Sequence, residues 1–235
     1  MRVLAIGDIH GCSRAFDHLL AAFVPRRNDL LITLGDYVDR GPNSAAVIDR
    51  LIGLRDKCQL VCLRGNHEQI MLDARKGRDR FVEWVHTGGQ ATLASYAPPG
   101  AKNGRMPDVP PAHWDFLENH TVDWHETATH MFVHAGVDPQ LPLDKQTEVM
   151  LRWERFRDPK PHLSGKIVVC GHTSQKSGTP RNIGHAVCID TDVCRKGWLT
   201  CYEITTGYIW QTRQNGDLRA GWLADFPNYA GVDIW

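Results

Sequence analysis

Five short apolar runs, each leading to glycine beside an acid, an amide or a histidine, constrain this chain more than anything else in it. Residues 3–6 run into Gly7-Asp8, with His10 two positions on; residues 30–34 run into Gly35-Asp36, followed by Asp39, Arg40 and Gly41. Residues 60–63 lead through Arg64 to Gly65-Asn66-His67, residues 131–133 into His134-Ala135-Gly136, and residues 167–170 into Gly171-His172. Such runs are apolar without alternation and largely β-branched or leucine, which is how strands buried on both faces read. Between the first three lie helical patterns. Phe16, Leu19, Leu20 and Phe23 repeat at helical spacing after Ser13, the expected N-cap. Val47, Ile48, Leu51 and Ile52 do the same after Pro42-Asn43-Ser44, and a further helix is expected from about Glu68 through Ile70, Met71 and Leu72. Alternating strands and helices predict an α/β fold. The polar residues then fall at strand C-terminal ends, where ligands gather in such folds.

The remaining chain is less regular. Residues 76–130, with Trp84, Gly88-Gly89 and proline-rich stretches, read as an insertion of short helices and loops within a single domain spanning 1–235. Residues 198–204 and 208–211 read as a hairpin turning at Thr206-Gly207, and the tail from Gln214 has no assignable pattern. Twenty-seven basic residues balance 27 acidic ones, so no basic excess points to a nucleic acid polymer. No apolar run approaches the roughly 20 residues of a membrane span, and an acid at position 8 comes too early for a signal peptide. Seven cysteines without a Cys-x-x-Cys pair, with Cys58, Cys62, Cys170 and Cys188 in or beside apolar runs, are expected to be buried thiols in a reducing cytoplasm.

Carboxylate, imidazole and one amide oxygen suit divalent metals of hard or borderline character. The donors Asp8, His10, Asp36, Asn66, His134 and His172 suffice for two ions with one carboxylate shared. Singly each has a plainer reading: Asp8 as a helix cap, Asp36 and Asp39 as turn residues, Asn66 in an Asx-turn, Arg40 paired with a carboxylate. The histidines outside these motifs, His86 near Gly88-Gly89 among them, are expected to be structural.

Taken in order, Gly7-Asp8-Ile9-His10-Gly11, Gly35-Asp36-Tyr37-Val38-Asp39-Arg40-Gly41, Arg64-Gly65-Asn66-His67-Glu68, His134-Ala135-Gly136 and Gly171-His172-Thr173 resemble the calcineurin-like metallophosphoesterases. The resemblance is closest to the phosphoprotein phosphatase branch, with small bacterial and phage-type serine/threonine phosphatases. It implies a sandwich of two mixed β-sheets flanked by helices, with a two-metal site at the strand ends. Asp8 and His10 would hold the first metal, Asp36 both, and Asn66, His134 and His172 the second; manganese is the first expectation, then iron or zinc. His67 would be the general acid, supported by Asp39. Arg40 and Arg64 would hold phosphate oxygens together with a further arginine, Arg152 or Arg155, with Arg152 favoured. Two ions roughly 3.5–4 Å apart lower the pKa of a shared water, whose hydroxide attacks phosphorus directly, with no phosphoenzyme.

The expected substrates are phosphoserine and phosphothreonine in proteins, and small phosphoesters. Hydrolysis of bis(5'-nucleosyl) tetraphosphates is the alternative, and a non-catalytic phosphate-binding module the third. The family's usual Asp-Thr-Gly here reads Asp190-Thr191-Asp192. The Asp192 carboxylate, if aimed at the site, would discourage polyphosphates.

Overall fold

The computed structural model describes residues 1–227. Its strands are β1 (Val3–Ile6), β2 (Leu30–Thr33), β3 (Gln59–Cys62), β4 (Trp124–Glu126), β5 (His130–Val133), β6 (Ile167–Cys170), β7 (Arg181–Asn182), β8 (Ala186–Cys188), β9 (Asp190–Thr191), β10 (Trp198–Glu203), β11 (Tyr208–Thr212) and β12 (Leu218–Trp222). The α-helices are α1 (Ser13–Phe23), α2 (Ser44–Leu54), α3 (Asn66–Asp73), α4 (Arg78–Trp84), α5 (Gln90–Ser95), α6 (Pro111–Asn119) and α7 (Glu148–Trp153).

Among the described residues the strands form two mixed sheets. The first runs β12-β11-β10-β1-β2-β3, with β9 beside β10; the second runs β4-β5-β6-β8-β7. In the first, β1, β2 and β3 are parallel and β10, β11 and β12 antiparallel; in the second, β5, β6 and β8 are parallel and β4 and β7 antiparallel.

The unbroken apolar runs have a direct cause. Along β1, Val3 and Ala5 pack between the sheets against Phe132, Val169 and Val187, while Leu4 and Ile6 pack under α1 and α2 with Phe16, Leu19 and Val47. Both faces are dry, so neither carries polar residues. The outer face of the second sheet is covered by residues 143–156, whose Leu143, Leu151 and Phe156 pack on Met131, Val168 and Cys170.

Three expectations change in detail. Ser13 is the first helical residue of α1, and Cys12 occupies the cap with no side-chain bond to the helix. Asn43 caps α2 by accepting from the Ala46 N–H. The 76–130 segment supplies α4, α5 and α6, but its end is β4, an integral edge strand of the second sheet. The tail from Gln214 contributes β12, which extends the expected hairpin by a third antiparallel strand; residues 228–235 lie outside the described residues. No described helix is long and apolar enough to cross a membrane. All seven cysteines are free thiols, six buried and Cys194 half-buried.

Candidate metal centre

The loops that leave β1, β2, β3, β5 and β6 bring the six expected donors together at one edge of the sandwich. Two groups of donor atoms form there: His10, Asp36 and His67, and Asp36, His134 and His172, each with its atoms within 4.8 Å of one another. Asp36, 2 % exposed, sits between them. Its Oδ2 lies 3.4 Å from His10 Nε2, and its Oδ1 lies 3.4 Å from His134 Nε2. Asn66 Oδ1 is 3.0 Å from His134 Nε2 and 3.1 Å from His172 Nδ1.

The imidazoles are aimed by their outer nitrogens. His10 Nδ1 donates to the Val38 carbonyl at 2.9 Å, and His134 Nδ1 to the Leu34 carbonyl at 2.7 Å. With the proton held on Nδ1, each ring turns an Nε2 lone pair inward, the form a metal binds. Burial pushes His10 down to about 3 and His172 to about 4, and it lowers His134 too, so all three favour the neutral form.

The carboxylates point the same way. Burial, then Asp190 and Asp36, raises Asp8 well above the usual carboxylate range. Asp190, 3 % exposed, is itself pushed up to about 6, mainly by burial. Burial would raise Asp36 as well, but His134, His67, His10 and His172 hold it below its ordinary value. Crowded buried acids with no lysine or arginine paired to them are stabilised by a cation. The donor set therefore fits divalent metal. Asp8 differs from the other donors, since both its oxygens accept from the His172 N–H, at 3.1 and 3.0 Å.

His67 is fully buried, and Nδ1 contacts Asp39 Oδ2 at 2.7 Å. Its Nε2 has no hydrogen-bond partner among the described residues and lies 4.0 Å from Asp36 Oδ2. Burial draws the ring's pKa down, but Asp36 and Asp39 outweigh it and leave the value raised. The other Asp39 oxygen accepts from Trp84 Nε1 at 3.0 Å and Thr92 Oγ1 at 2.7 Å. Arg40 is exposed, its N–H donates to the Gly88 carbonyl, and its guanidinium donates to His10 Nε2 at 2.8 Å.

The backbone here is forced. His10, Asp36, Asp39, Arg40 and His172 all have positive φ, between 43° and 71°. Non-glycine residues in that region cost energy and cluster where geometry is held for function. Gly35, at φ 101°, is required outright: a Cβ there would lie 2.6 Å from the Gly65 nitrogen and 2.9 Å from His134 Nδ1.

Two expected phosphate ligands are placed otherwise. Arg64 donates to Thr121 Oγ1 and to the Leu117 and Glu118 carbonyls, pinning the end of α6. Arg152, on α7, has a side chain only 3 % exposed and is paired with Asp123 at 2.5 Å and Glu148 at 3.1 Å. Both line a cleft of about 520 Å³ with Asp123 and Glu148. The reason is helical phase: Arg152 lies four residues after Glu148, on the inward face of α7. Arg155 lies past the end of that helix, exposed and with no side-chain bond among the described residues; it borders a cavity shared with Ala135 and Gly136. Asp192, 7 % exposed, is paired with Arg195 at 2.9 Å, which neutralises the charge expected to repel polyphosphate.

Sequence reasoning missed the groups that hold the loops. Glu68, fully buried, accepts from the N–H groups of Asp36, Tyr37, Val38 and Gly65, at 2.7, 2.7, 3.3 and 2.9 Å. Burial and then Asp36 push its carboxyl up to about 7. Trp84 and Thr92 were equally invisible. They stand 45 and 53 residues from the Asp39 they bind, and no local pattern links them to it.

The chain is thus a two-sheet sandwich that gathers carboxylate, amide and lone-pair imidazole donors at one edge, beside an exposed arginine. A family model described as calcineurin-like phosphoesterase matches residues 1–176, and the chain belongs to that family. Among curated proteins it is similar to a symmetrical bis(5'-nucleosyl)-tetraphosphatase of Burkholderia thailandensis, 30% identical over 175 residues, covering 71% of this chain and 55% of the relative. It is also similar to serine/threonine-protein phosphatase 1 of Salmonella typhimurium, 38% identical over 88 residues, covering 37% of this chain and 38% of the relative. The aligned stretches thus span about half the length of these relatives or less. A solved structure proposed to be a diadenosine tetraphosphatase superposes with a TM-score of 0.65 at 21% identity, covering 94% of this chain and 92% of its own, a likeness of fold.

Proposed function

We propose that this chain hydrolyses phosphoesters at a two-metal centre in which Asp36 serves both ions. Asp8 and His10 complete one site, and Asn66, His134 and His172 the other. The observation that carries this reading is the division of Asp36, with one oxygen toward His10 and the other toward His134. When bound, two divalent ions supply a water of lowered pKa as nucleophile at neutral pH; manganese is the first choice, and iron or zinc suits the same donors.

The chain's own residues do the rest. Arg40, exposed and in reach of the donor set, and Arg155, exposed at the end of α7, hold oxygens of the phosphoryl group under attack. His67 carries a proton on Nε2 toward the departing oxygen, and Asp39 favours that charged form. No side chain is called on as nucleophile, so the reaction needs no phosphoenzyme.

For the substrate, hydrolysis of a dinucleoside tetraphosphate gains on the phosphoserine and phosphothreonine reading. The specific observation is the Asp192–Arg195 pair, which removes the charge that would repel a polyphosphate. Trp153, 44% exposed with its ring 6.5 Å from that of His172, offers an indole beside the site for a base. Phosphoprotein hydrolysis stays as the second reading. It is supported by four basic side chains at the insertion, Arg75, Lys76, Arg80 and Arg105, which are held in surface pairs with Glu118, Asp73, Glu83 and Asp108 and so are not free to line a polyphosphate. A phosphate-binding module without turnover would not need an unpartnered, acid-supported His67. The free thiols suit a reducing, cytoplasmic setting.

The test is a panel of phosphopeptide, aryl phosphate and dinucleoside tetraphosphate with added manganese. Turnover that survives complete chelation of metal would defeat the proposal.

A further inference from the structure

Beside the Arg40 edge of the metal centre runs a groove of about 520 Å³ that the reaction at phosphorus does not use. One wall is Cys12 and Pro42, two residues after His10 and Arg40 respectively; the other is built by the 193–197 turn and residues 213–215. Three cations line it, Arg195, Lys196 and Arg213, and no carboxylate does.

These cations are unequally committed. Arg195 is spent on Asp192 at 2.9 Å. Lys196 is exposed, and its ammonium has no partner among the described residues. Arg213 sits over the Trp198 ring, its guanidinium carbon 4.1 Å from the ring centre, with Asp217 at 3.7 Å, and its Nε is buried without a hydrogen-bond partner among the described residues. The contact with the ring holds the guanidinium at the groove wall, and the orphaned N–H is a donor that the fold leaves unsatisfied. Between them, Gln214 accepts the Ala15 N–H through Oε1 at 2.7 Å, which leaves its amide N–H₂ for another acceptor. A positioned guanidinium, a free ammonium and an amide donor, with no acid on the lining, match phosphate oxygens.

We propose that this groove is a second anion subsite. It takes the phosphates of a polyphosphate chain that lie beyond the one under attack, with Lys196 and Arg213 as specificity-determining residues. The inference rests on the phosphoester hydrolase reading and gives it a substrate class, a nucleoside polyphosphate. In the reaction, the water oxygen forms a bond to the attacked phosphorus while the bridging P–O bond breaks. Its electron pair leaves with the departing phosphate chain, and the proton released by the water passes to solvent. The groove contacts the part of the chain that is not attacked, so it acts on binding and on placement of the scissile bond.

The experiment compares the manganese-loaded wild type with Lys196→Ala and Arg213→Gln. It measures kcat/KM on bis(5'-adenosyl) tetraphosphate, an aryl phosphate and an acidic phosphopeptide, and equilibrium binding of a methylene-bridged tetraphosphate analogue. Each substitution is expected to lower kcat/KM on the tetraphosphate about tenfold, as for loss of one charge-assisted contact, and to weaken analogue binding in proportion. Aryl phosphate turnover should stay within about twofold, the size of a surface-charge effect. Lys196 is exposed, so its variant separates loss of the contact from loss of the fold around Trp198. A fall on all substrates together makes the residues structural and overturns the proposal, as does no change on any. A fall confined to the acidic phosphopeptide assigns the groove to peptides and overturns it as well. If the wild type turns over none of the substrates, the hydrolase reading fails, while unaltered analogue binding by Lys196→Ala would refute the groove on its own.

Discussion

Replacing Asp39 by asparagine separates proton donation from every other task of the site. Asp39 Oδ1 already accepts from Trp84 and Thr92, so the asparagine carbonyl takes that side. The new amide N–H₂ then faces His67 Nδ1, 2.7 Å from where Oδ2 stood. It donates where a carboxylate accepted, so the ring's proton moves to Nε2 and its cationic form loses its counter-charge. A hydrogen bond to a charged group contributes about 1.5–3 kcal/mol, or about ten- to 150-fold in rate. The loss should appear in full on alkyl phosphates, whose leaving oxygen needs a proton. It should shrink below about threefold on aryl phosphates with acidic leaving groups. The sign of the pH effect follows from the same contacts. Burial lowers the His67 pKa, and Asp36 and Asp39 more than restore it. His67 acts while protonated, so activity falls as pH rises through its pKa, and removing one of the raising charges moves that alkaline limb to lower pH. The assay is kcat across a series of leaving groups with bound metal counted in parallel. Equal losses on every leaving group, or a missing metal ion, would refute the role given to the pair.

Other outcomes follow from the same geometry. Chelation should abolish turnover and added manganese restore it, and His134→Ala should lower the metal content measured by elemental analysis. Replacing His67 by alanine should slow alkyl phosphate turnover by roughly 100- to 10,000-fold with metal content nearly unchanged. Arg155→Ala should cut kcat/KM about tenfold or more without moving the melting temperature, whereas Arg152→Ala should lower stability by about 1–3 kcal/mol, read by urea denaturation. Glu68→Gln replaces an acceptor of four backbone N–H groups with an amide that turns N–H₂ toward some of them. It should cost about 2–4 kcal/mol, and a variant as stable as the wild type would show that Glu68 does not brace the loops.

The strands that carry the site were legible because they are dry on both faces; Leu4 and Ile6 face the helices while Val3 and Ala5 face the second sheet. The donors were legible because each stands directly after such a run. What stayed hidden depends on phase or distance. The spacing of Arg152 and Arg155 does not say where α7 stops, and that stop decides which guanidinium is buried and paired with Glu148. Strand β12 could not be read because its residues 218–222 alternate between exposed and half-buried, with none fully covered. Ser13 looked like a cap, but the left-handed turn at His10 and Gly11 brings the chain into α1 one residue earlier.

The attachment of Asp39 to Trp84 and Thr92 makes the His67–Asp39 pair a joint between two parts of the chain, one in the sheet loops and one in the helical segment. The six expected metal donors come from the loops after β1, β2, β3, β5 and β6, and none of them bonds to Trp84 or Thr92. Loosening of α4 and α5 would leave the donors assembled and release only the grip on Asp39. On mild heating the chain would become a less discriminating catalyst before it became an inactive one. Activity on good leaving groups would persist while activity on poor ones faded, and the ratio of the two would serve as a thermometer for the docking of residues 78–95.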